Sequence, residues 1–186
     1  MRTLAIIPCT GQKDPDMEEG PAEEIWMGSH FQYTLAHVEM MYDEVLVLSY
    51  KYGLISPKMV IESYDIDMRV ARPREKIRWW FLVRDHIIKI AGEDPPPDLV
   101  GLYTGSFFRD RMVREFYKHG VEQIITPWEG KGIGLRQAAV FDAIPPFDPD
   151  KVKTGEYKIK VDETTGAPKN NYLPPESKIT EPIKWE

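Results

Sequence analysis

A chain of 186 residues, of which 42% are hydrophobic and 29% charged, has the size and composition of one globular domain with a buried core. Its formal net charge of −6 excludes a polybasic protein that holds nucleic acid through overall charge, so any such contact needs a local basic patch. A single cysteine excludes an intrachain disulfide framework and a cysteine-rich zinc site, and it is typical of a reducing compartment.

No segment of the sequence is apolar over the roughly 20 residues that a transmembrane helix requires. The N-terminus has only four consecutive apolar residues, Leu4–Ile7, which is too short for the core of a signal peptide. We therefore expect a cytoplasmic protein without membrane contact, and the host cytoplasm of a phage-infected cell is one such location.

Short apolar runs alternate along the chain with segments of helical periodicity. The predicted strands are Leu4–Ile7, Val45–Leu48, Leu99–Tyr103 and Gln123–Thr126, and the predicted helices cover 21–41, 73–91, 107–119 and 133–143. Because the links are short, this alternation predicts an α/β fold with a mostly parallel sheet of four to five strands flanked by helices. Ligands of such folds bind at the carboxyl ends of the strands.

The composition changes near Phe147, where proline, glycine, lysine, glutamate and asparagine begin to dominate. We predict a single α/β catalytic domain over residues 1–146 and an extended or poorly packed C-terminal tail over residues 147–186. Such a tail can lie on its own domain or on a partner subunit, so it is also the expected route to a homo-oligomer.

Loops of unusual composition follow the predicted strands, at Pro8–Lys13, Ser49–Ile55, Thr104–Ser106 and Gly130–Gln137. Hydroxyl groups, basic side chains and glycine backbone amides in such loops are suited to phosphate or carboxylate groups. Each loop taken alone is more often only a tight turn, and it is the coincidence of several such loops at one sheet edge that favours a functional site. The side chains that we expect to contact a substrate are Thr10, Lys13, Ser49, Tyr52, Thr104, Ser106 and Arg136.

Three residues in or near these loops are candidates for a catalytic role: Cys9, Lys51 and Asp65. Cys9 offers a thiol, although a cysteine is more often a small buried hydrophobic residue than a nucleophile, and nothing adjacent to it in the sequence ensures a lowered pKa. Asp65 can act as a general acid or base, and the alternative is that it caps a turn. The four histidines show no paired metal-ligand spacing, so we expect no metal, and no motif calls for another cofactor.

The predicted helix after residue 72 is rich in basic and aromatic residues. Residues 69–89 hold seven basic residues against two acidic ones, and Trp79, Trp80 and Phe81 lie among them. This mixture suits a phosphate backbone and stacked bases, and the residues expected to contact nucleic acid are Arg72, Arg74 and Arg78. The alternative is that the tryptophans belong to the core and the arginines are merely solvated.

Four short motifs together resemble a known family. The segments Pro8–Lys13, Pro21–Phe31, Leu48–Ile55 and the pair Tyr64-Asp65 resemble the YaaA-like family of small bacterial and phage proteins, over residues 4 to 143. More distantly, the first loop is similar to that of the catalytic domain of archaeosine synthase, which modifies a deazaguanine base in transfer RNA. It also resembles phage enzymes proposed to install amino acids or polyamines on hydroxymethyl-pyrimidines in DNA. Thr10 stands where that pattern often has serine, which keeps the hydroxyl group.

The resemblance implies a nucleic-acid base-modifying enzyme, a transferase or a glycosylase, with DNA favoured over RNA. Phage-encoded hypermodification of DNA is the most specific form of this hypothesis. One alternative is a free-nucleotide glycosidase or phosphoribosyl-type transferase, which uses the same anion-binding loops without the basic helix. A second alternative is a non-catalytic DNA-binding stress-response protein in which the loops only bind phosphate.

Overall fold

The computed structural model describes residues 1–130 of the chain. In chain order its elements are β1 (Thr3–Pro8), β2 (Glu19–Pro21), α1 (Ala22–Ile25), α2 (Ser29–Glu39), β3 (Glu44–Ser49), β4 (Gly53–Ile55), β5 (Val60–Glu62), α3 (Pro73–Ala91), β6 (Leu99–Leu102), α4 (Ser106–Lys118) and β7 (Gln123–Ile125). The predicted helix over 133–143, Arg136, the boundary at residue 146 and the tail from residue 147 lie outside the described residues.

Five of the strands form one sheet in the order β4-β3-β1-β6-β7. Strands β1, β3, β6 and β7 are parallel, and β4 pairs with β3 in the antiparallel direction. The predicted α/β fold with a mostly parallel sheet of four to five strands flanked by helices is therefore confirmed. Because the parallel strands point the same way, the loops that follow β1, β3, β6 and β7 all lie at one edge of the sheet.

The central strand β1 is buried on both of its faces. Leu4 and Ile6 face a core that is completed by α3 and α4, whereas Ala5 and Ile7 face a second core built from α1 and α2. All four side chains are fully buried. A continuous apolar run is what a central parallel strand needs, because helices cover both faces of the sheet.

The prediction of one continuous helix over residues 21–41 was wrong. The structure has the short strand β2, the short helix α1 and the longer helix α2 in this segment, with a break at Trp26–Gly28. Trp26 is extended there, and a Cβ atom added to Gly28 would clash with the side chain of Thr10. The apolar spacing is near-helical on both sides of this break, so periodicity alone did not reveal it.

The segment Ser49–Ile55, predicted as a loop, contains the edge strand β4. Gly53 turns the chain with a φ of +76°, a left-handed conformation that glycine adopts without strain. The strand is only three residues long, too short to show an alternating pattern. It adds the antiparallel member of the sheet and returns the chain beside β3.

A two-stranded antiparallel ribbon of β2 and β5 lies apart from the main sheet. Immediately after β5, the Ser63 N–H donates a hydrogen bond of 2.7 Å to the carbonyl of Glu18. This ribbon therefore sets the position of the next residue, Tyr64. Within residues 1–130, no helix is both long enough and apolar enough to cross a bilayer.

Candidate functional site

Strands β1 and β3 bring Cys9 and Ser49 to the same edge of the sheet. The two strands are parallel neighbours with Pro8 paired to Leu48, and the Cys9 N–H donates a hydrogen bond of 3.3 Å to the carbonyl of Leu48. Ser49 is fully buried, and Cys9 is partly buried. The first two predicted loops therefore meet, as expected for carboxyl ends of parallel strands.

Tyr64 joins the ends of these two strands through its hydroxyl group. Its Oη lies 2.7 Å from Ser49 Oγ and 3.9 Å from Cys9 Sγ, and it accepts a hydrogen bond of 3.1 Å from the Tyr50 N–H. The Tyr64 ring also packs edge-on against the ring of Trp26. One phenol thus connects two strand ends and the helical layer beside them.

The hydrogen bonds that Ser49 accepts determine which hydroxyl group of the Ser49–Tyr64 pair is the donor. Ser49 Oγ accepts hydrogen bonds from the backbone N–H groups of Lys51, at 3.3 Å, and Tyr52, at 3.1 Å. These two donors occupy both lone pairs of a hydroxyl oxygen, so the Ser49 hydroxyl donates to Tyr64. Tyr64 then accepts from Ser49 and from the Tyr50 N–H, and its own proton points to Cys9 Sγ.

The protonation states of the site follow mainly from burial. Burial raises the pKa of the Cys9 thiol above its usual range, although Tyr64 and Lys13 act in the opposite direction. Burial also raises the pKa of Tyr64, and it raises that of Tyr50 to about 12. At neutral pH, Cys9 is therefore a thiol and Tyr64 is a protonated donor that is placed to stabilise a thiolate once one forms.

Two lysine side chains lie against the aromatic rings of the site. Lys13 Nζ is 5.3 Å from the centre of the Tyr64 ring, and Lys51 Nζ is 4.9 Å from that of Tyr52. The Tyr52 and Tyr64 rings are 5.8 Å apart at a steep angle. Both contacts fall within the distance at which a cation is attracted to a ring face. The arrangement presents two cations beside the Ser49 and Cys9 side chains.

Lys51 also forms an ion pair with Glu62, with 3.1 Å between Nζ and Oε2. Hydrogen bonds with Tyr52 and Glu62 raise the pKa of Lys51, so its side chain remains a cation at neutral pH. The Glu62 side chain is 72% exposed, and an ion pair this exposed contributes little to stability. The Lys51 side chain is itself 34% exposed, so its ammonium group is accessible from the solvent.

The first loop is fastened to the break between α1 and α2. The Met27 N–H donates to the carbonyl of Gln12 at 3.0 Å, and Lys13 forms an isolated antiparallel bridge with Trp26. Thr10 packs directly on Gly28, and its Oγ1 accepts a hydrogen bond of 3.3 Å from the Gln12 N–H. These contacts hold Thr10 and Lys13 at the edge of the sheet.

Thr104 and Ser106 follow β6, the neighbour of β1 on the other side. Thr104 is 1% exposed, and its Oγ1 has no hydrogen-bond partner among residues 1–130. Buried hydroxyl groups are normally hydrogen-bonded, so the Thr104 hydroxyl lacks the usual partner within this part of the chain, and its contact with a substrate stays a prediction. Ser106 is exposed and begins α4.

Asp65 follows Tyr64 and lies at the surface. Its side chain is exposed and forms no hydrogen bond or ion pair within the described part of the chain. Its catalytic role therefore stays a prediction, as does that of Cys9. The anion-binding role of Arg136 falls outside the described residues.

The basic helix α3 begins with Pro73, and Arg72 directly before it lies at the surface together with Arg74 and Arg78 in its first half. Trp79 belongs to the core, as the alternative interpretation of this helix stated, and its Nε1–H donates a hydrogen bond of 2.9 Å to the carbonyl of Ser49. Trp80 is only partly buried. The contact of these arginines with nucleic acid stays a prediction.

Sequence reasoning missed Tyr64, the residue that connects the site. The available signal was its place in the Tyr64-Asp65 pair, of which only the Asp65 carboxylate was predicted to have a role. Glu62, which was not among the predicted site residues, is the ion-pair partner of Lys51. In the part of the chain that the structure describes, no three His, Cys, Asp or Glu side chains form a group that could hold a metal ion.

Comparison with known proteins identifies a family without an assigned activity. A family model matches residues 4–142, which is more than half of the chain, and its description is "Family of unknown function (DUF6884)". No curated protein and no solved structure matches the chain.

Proposed function

We propose that this chain, which belongs to the DUF6884 family, is an enzyme that modifies a base of a nucleic acid, with DNA as the favoured polymer. The observation that carries the proposal is the meeting of three segments at the Tyr64 hydroxyl, with Ser49 at 2.7 Å and Cys9 at 3.9 Å. Lys13 and Lys51 lie beside this network on aromatic rings. A thiol, a phenol proton and two cations at one sheet edge form a reactive centre next to an anion-binding surface.

Each group has a role in this proposal. Lys13 and Lys51 bind the phosphates that flank the target nucleoside, because ammonium groups attract phosphate strongly. The hydroxyl groups of Thr10 and Thr104, which follow the neighbouring strands β1 and β6, orient the base. Cys9 and Tyr64 lie at the reacting centre, and Asp65 receives or supplies a proton from the solvent side.

The motif resemblance supports base chemistry over other uses of this fold. The segments that carry the YaaA-like resemblance include Cys9, Lys13, Ser49, Lys51 and Tyr64, which are the residues that surround the network. Transfer of a group to a base and cleavage of a bond at a modified base are the two reaction classes that this resemblance favours.

The rival proposal is a free-nucleotide glycosidase or phosphoribosyl-type transferase. It would use the same loops, but it gives no role to the surface arginines Arg72, Arg74 and Arg78. Their exposure on α3, whose Trp79 is hydrogen-bonded to Ser49, favours a polymer that extends beyond the reacting nucleotide.

Nucleoside analysis distinguishes these proposals. DNA, RNA and free nucleotides from cells that express the wild-type chain are digested and compared by mass spectrometry with those from cells expressing Lys51→Ala. We expect a nucleoside in DNA to appear or disappear with the wild type only. Lys58→Ala, which removes an exposed lysine outside the site, is the matched control and should behave as wild type.

A change confined to the free nucleotide pool would favour the rival enzyme. Identical nucleosides in all fractions for wild type and Lys51→Ala would contradict the proposed activity.

A further inference from the structure

A groove of about 220 Å³ lies between the N-terminal halves of α3 and α4. Its lining is mainly aromatic and apolar, with a cation on each side. The lining residues are Pro73, Lys76, Ile77, Trp79, Trp80, Phe107, Phe108 and Arg111. The volume is below the roughly 300–1,000 Å³ of sites that hold drug-sized ligands, and it suits a single planar ring system.

Ring faces and cations meet along this groove. Lys76 Nζ is 5.4 Å from the centre of the Phe107 ring, and the Arg111 guanidinium is 5.9 Å from that of Trp80. Phe107 is 53% exposed although it is a large hydrophobic residue on a helix. Exposed aromatic rings beside basic side chains are the elements with which proteins bind unstacked bases and their phosphates.

Positive charge is concentrated around the groove. Residues 72–80 and 106–114 together hold seven basic and two acidic residues in a chain of net charge −6. Arg72 at the N-cap of α3 and Arg74 and Arg78 within it are all exposed. A locally basic surface on an acidic protein selects a polyanion by charge complementarity.

The groove adjoins the candidate site. Trp79 forms part of its lining, and the indole of the same residue is hydrogen-bonded to the carbonyl of Ser49. The ring of Tyr50, next in sequence to Ser49, packs against both Trp79 and Phe108. The side chains that support the Ser49 loop therefore also form part of the groove wall.

We propose that this groove binds one unstacked base of a single-stranded nucleic acid, while the surface arginines of α3 hold the phosphates on either side. The inference rests on the proposed function and adds to it, because it makes single-stranded DNA, or a locally opened duplex, the substrate. Bases inside an intact duplex are stacked on their neighbours and cannot place a ring face against these aromatic side chains. A single strand exposes its ring faces to such side chains.

Charge does not favour the remainder of this chain as the occupant. Residues 131–186 contain nine basic and nine acidic residues, so they bring no net negative charge to a basic surface. A nucleic acid can contact the arginines and the aromatic rings together, since each nucleotide supplies one phosphate and one aromatic base.

The test is the binding of a fluorescently labelled DNA oligonucleotide to the full-length chain, measured by anisotropy at two salt concentrations. We expect the single strand to bind more tightly than the duplex of the same sequence. Phe107→Ala should weaken single-strand binding about tenfold, as expected for loss of one stacking ring, without changing the salt dependence. Phe107→Leu should weaken single-strand binding by the same factor, because leucine keeps the apolar area but has no ring face.

Two further variants separate stacking from charge. Phe81→Ala is the matched control: Phe81 is 47% exposed under Arg84 on the same helix but does not line the groove, so its loss should leave binding unchanged. The double variant Arg74→Glu with Arg78→Glu should flatten the dependence of log affinity on log salt by about 1.4, because two phosphate contacts are lost.

The inference is overturned if the single strand does not bind at low salt, if the duplex binds as tightly, or if Phe107→Ala binds like Phe81→Ala. These failures are distinct from failure of the proposed function. A nucleoside change that depends on Lys51, together with unaltered binding by the groove variants, would retain the enzyme and reject the groove. Binding that depends on Phe107 without any nucleoside change would retain the groove and reject the enzyme.

Discussion

Tyr64 contacts the ends of two parallel strands through one oxygen atom. Its partners Ser49 and Cys9 are 15 and 55 residues away in the sequence. The phenol stays protonated because burial raises its pKa, so it donates toward the sulfur instead of accepting a proton from it. The thiol of Cys9 therefore rests in its neutral form with a stabilising donor already in place.

The reactivity of Cys9 can be measured without interference, because it is the only cysteine in the chain. Since burial raises the pKa of Cys9, its alkylation rate should begin to rise at a higher pH than the alkylation rate of an exposed thiol does. In Tyr64→Phe the thiolate loses a hydrogen-bond donor of roughly 1 kcal/mol, so the rate at fixed pH should fall about fivefold. Pseudo-first-order alkylation followed by mass spectrometry between pH 7 and 10 checks both expectations.

Tyr117→Phe serves as the control for this measurement. Tyr117 packs against the core on the other face of the sheet, so this substitution removes a hydroxyl group far from the sulfur. Alkylation of Tyr64→Phe at the rate of Tyr117→Phe would show that the contact of 3.9 Å does not influence the thiol.

At the scale of the elements, the edge strand β4 is held by helix α3. His86 Nδ1 accepts a hydrogen bond of 3.0 Å from the Leu54 N–H, so the imidazole has to be neutral at that nitrogen. Burial lowers the pKa of His86, and this favours the neutral form. Because β4 begins two residues after Lys51, its attachment to α3 also positions the loop that carries Ser49 and Lys51.

Gly53→Ala tests this attachment. The new methyl group would lie 2.9 Å from His86 Nδ1, and the φ of +76° would be strained for alanine. Gly120→Ala is a matched control, because Gly120 has a φ of +89° with no atom within 4 Å of an added Cβ. We expect Gly120→Ala to cost about 1–2 kcal/mol of unfolding free energy for the left-handed backbone alone.

Gly53→Ala should cost measurably more than Gly120→Ala, because it adds the clash with His86 to the same backbone strain. Urea unfolding followed by circular dichroism gives both values. Equal losses in the two variants would mean that the imidazole moves aside freely and does not fasten β4.

At the scale of the whole molecule, stability should depend on pH through His37. Its side chain is buried in α2, edge-on to the ring of Tyr103, and burial lowers its pKa to about 4. Between pH 6.5 and 4 the unfolded chain binds a proton at His37 that the native protein does not, so stability is lost as the pH falls through this window. We expect His37 by itself to make the unfolding free energy about 2 kcal/mol lower at pH 5 than at pH 7, and the lowered pKa of His86 acts in the same direction.

Urea unfolding at pH 5, 6 and 7 measures this dependence. His37→Asn keeps a polar side chain but cannot titrate, so its stability should vary less across the series. His119→Asn, which removes a partly exposed histidine beside Glu115, should retain the wild-type dependence. A wild-type unfolding free energy that is constant from pH 7 to 5 would contradict the prediction.

The fold could be predicted from the sequence where the pattern is local and long. The helix over Pro73–Ala91 agrees with its prediction, because proline at its start and a regular apolar stripe are signals within the segment itself. Strand β1 was predicted from four apolar residues that are buried on both faces. The short elements α1 and β4 were missed, since three or four residues do not establish a period.

The sequence by itself determined that loops carrying Cys9 and Ser49 would meet at one edge of a mostly parallel sheet, because strand direction follows from the alternation of strands and helices. Only the tertiary structure decided that Tyr64 connects them, that Glu62 pairs with Lys51, and that α3 and α4 enclose a groove. Apolar periodicity reports which face of an element is buried. The direction of a polar side chain depends on contacts with residues distant in the chain, which no local pattern records.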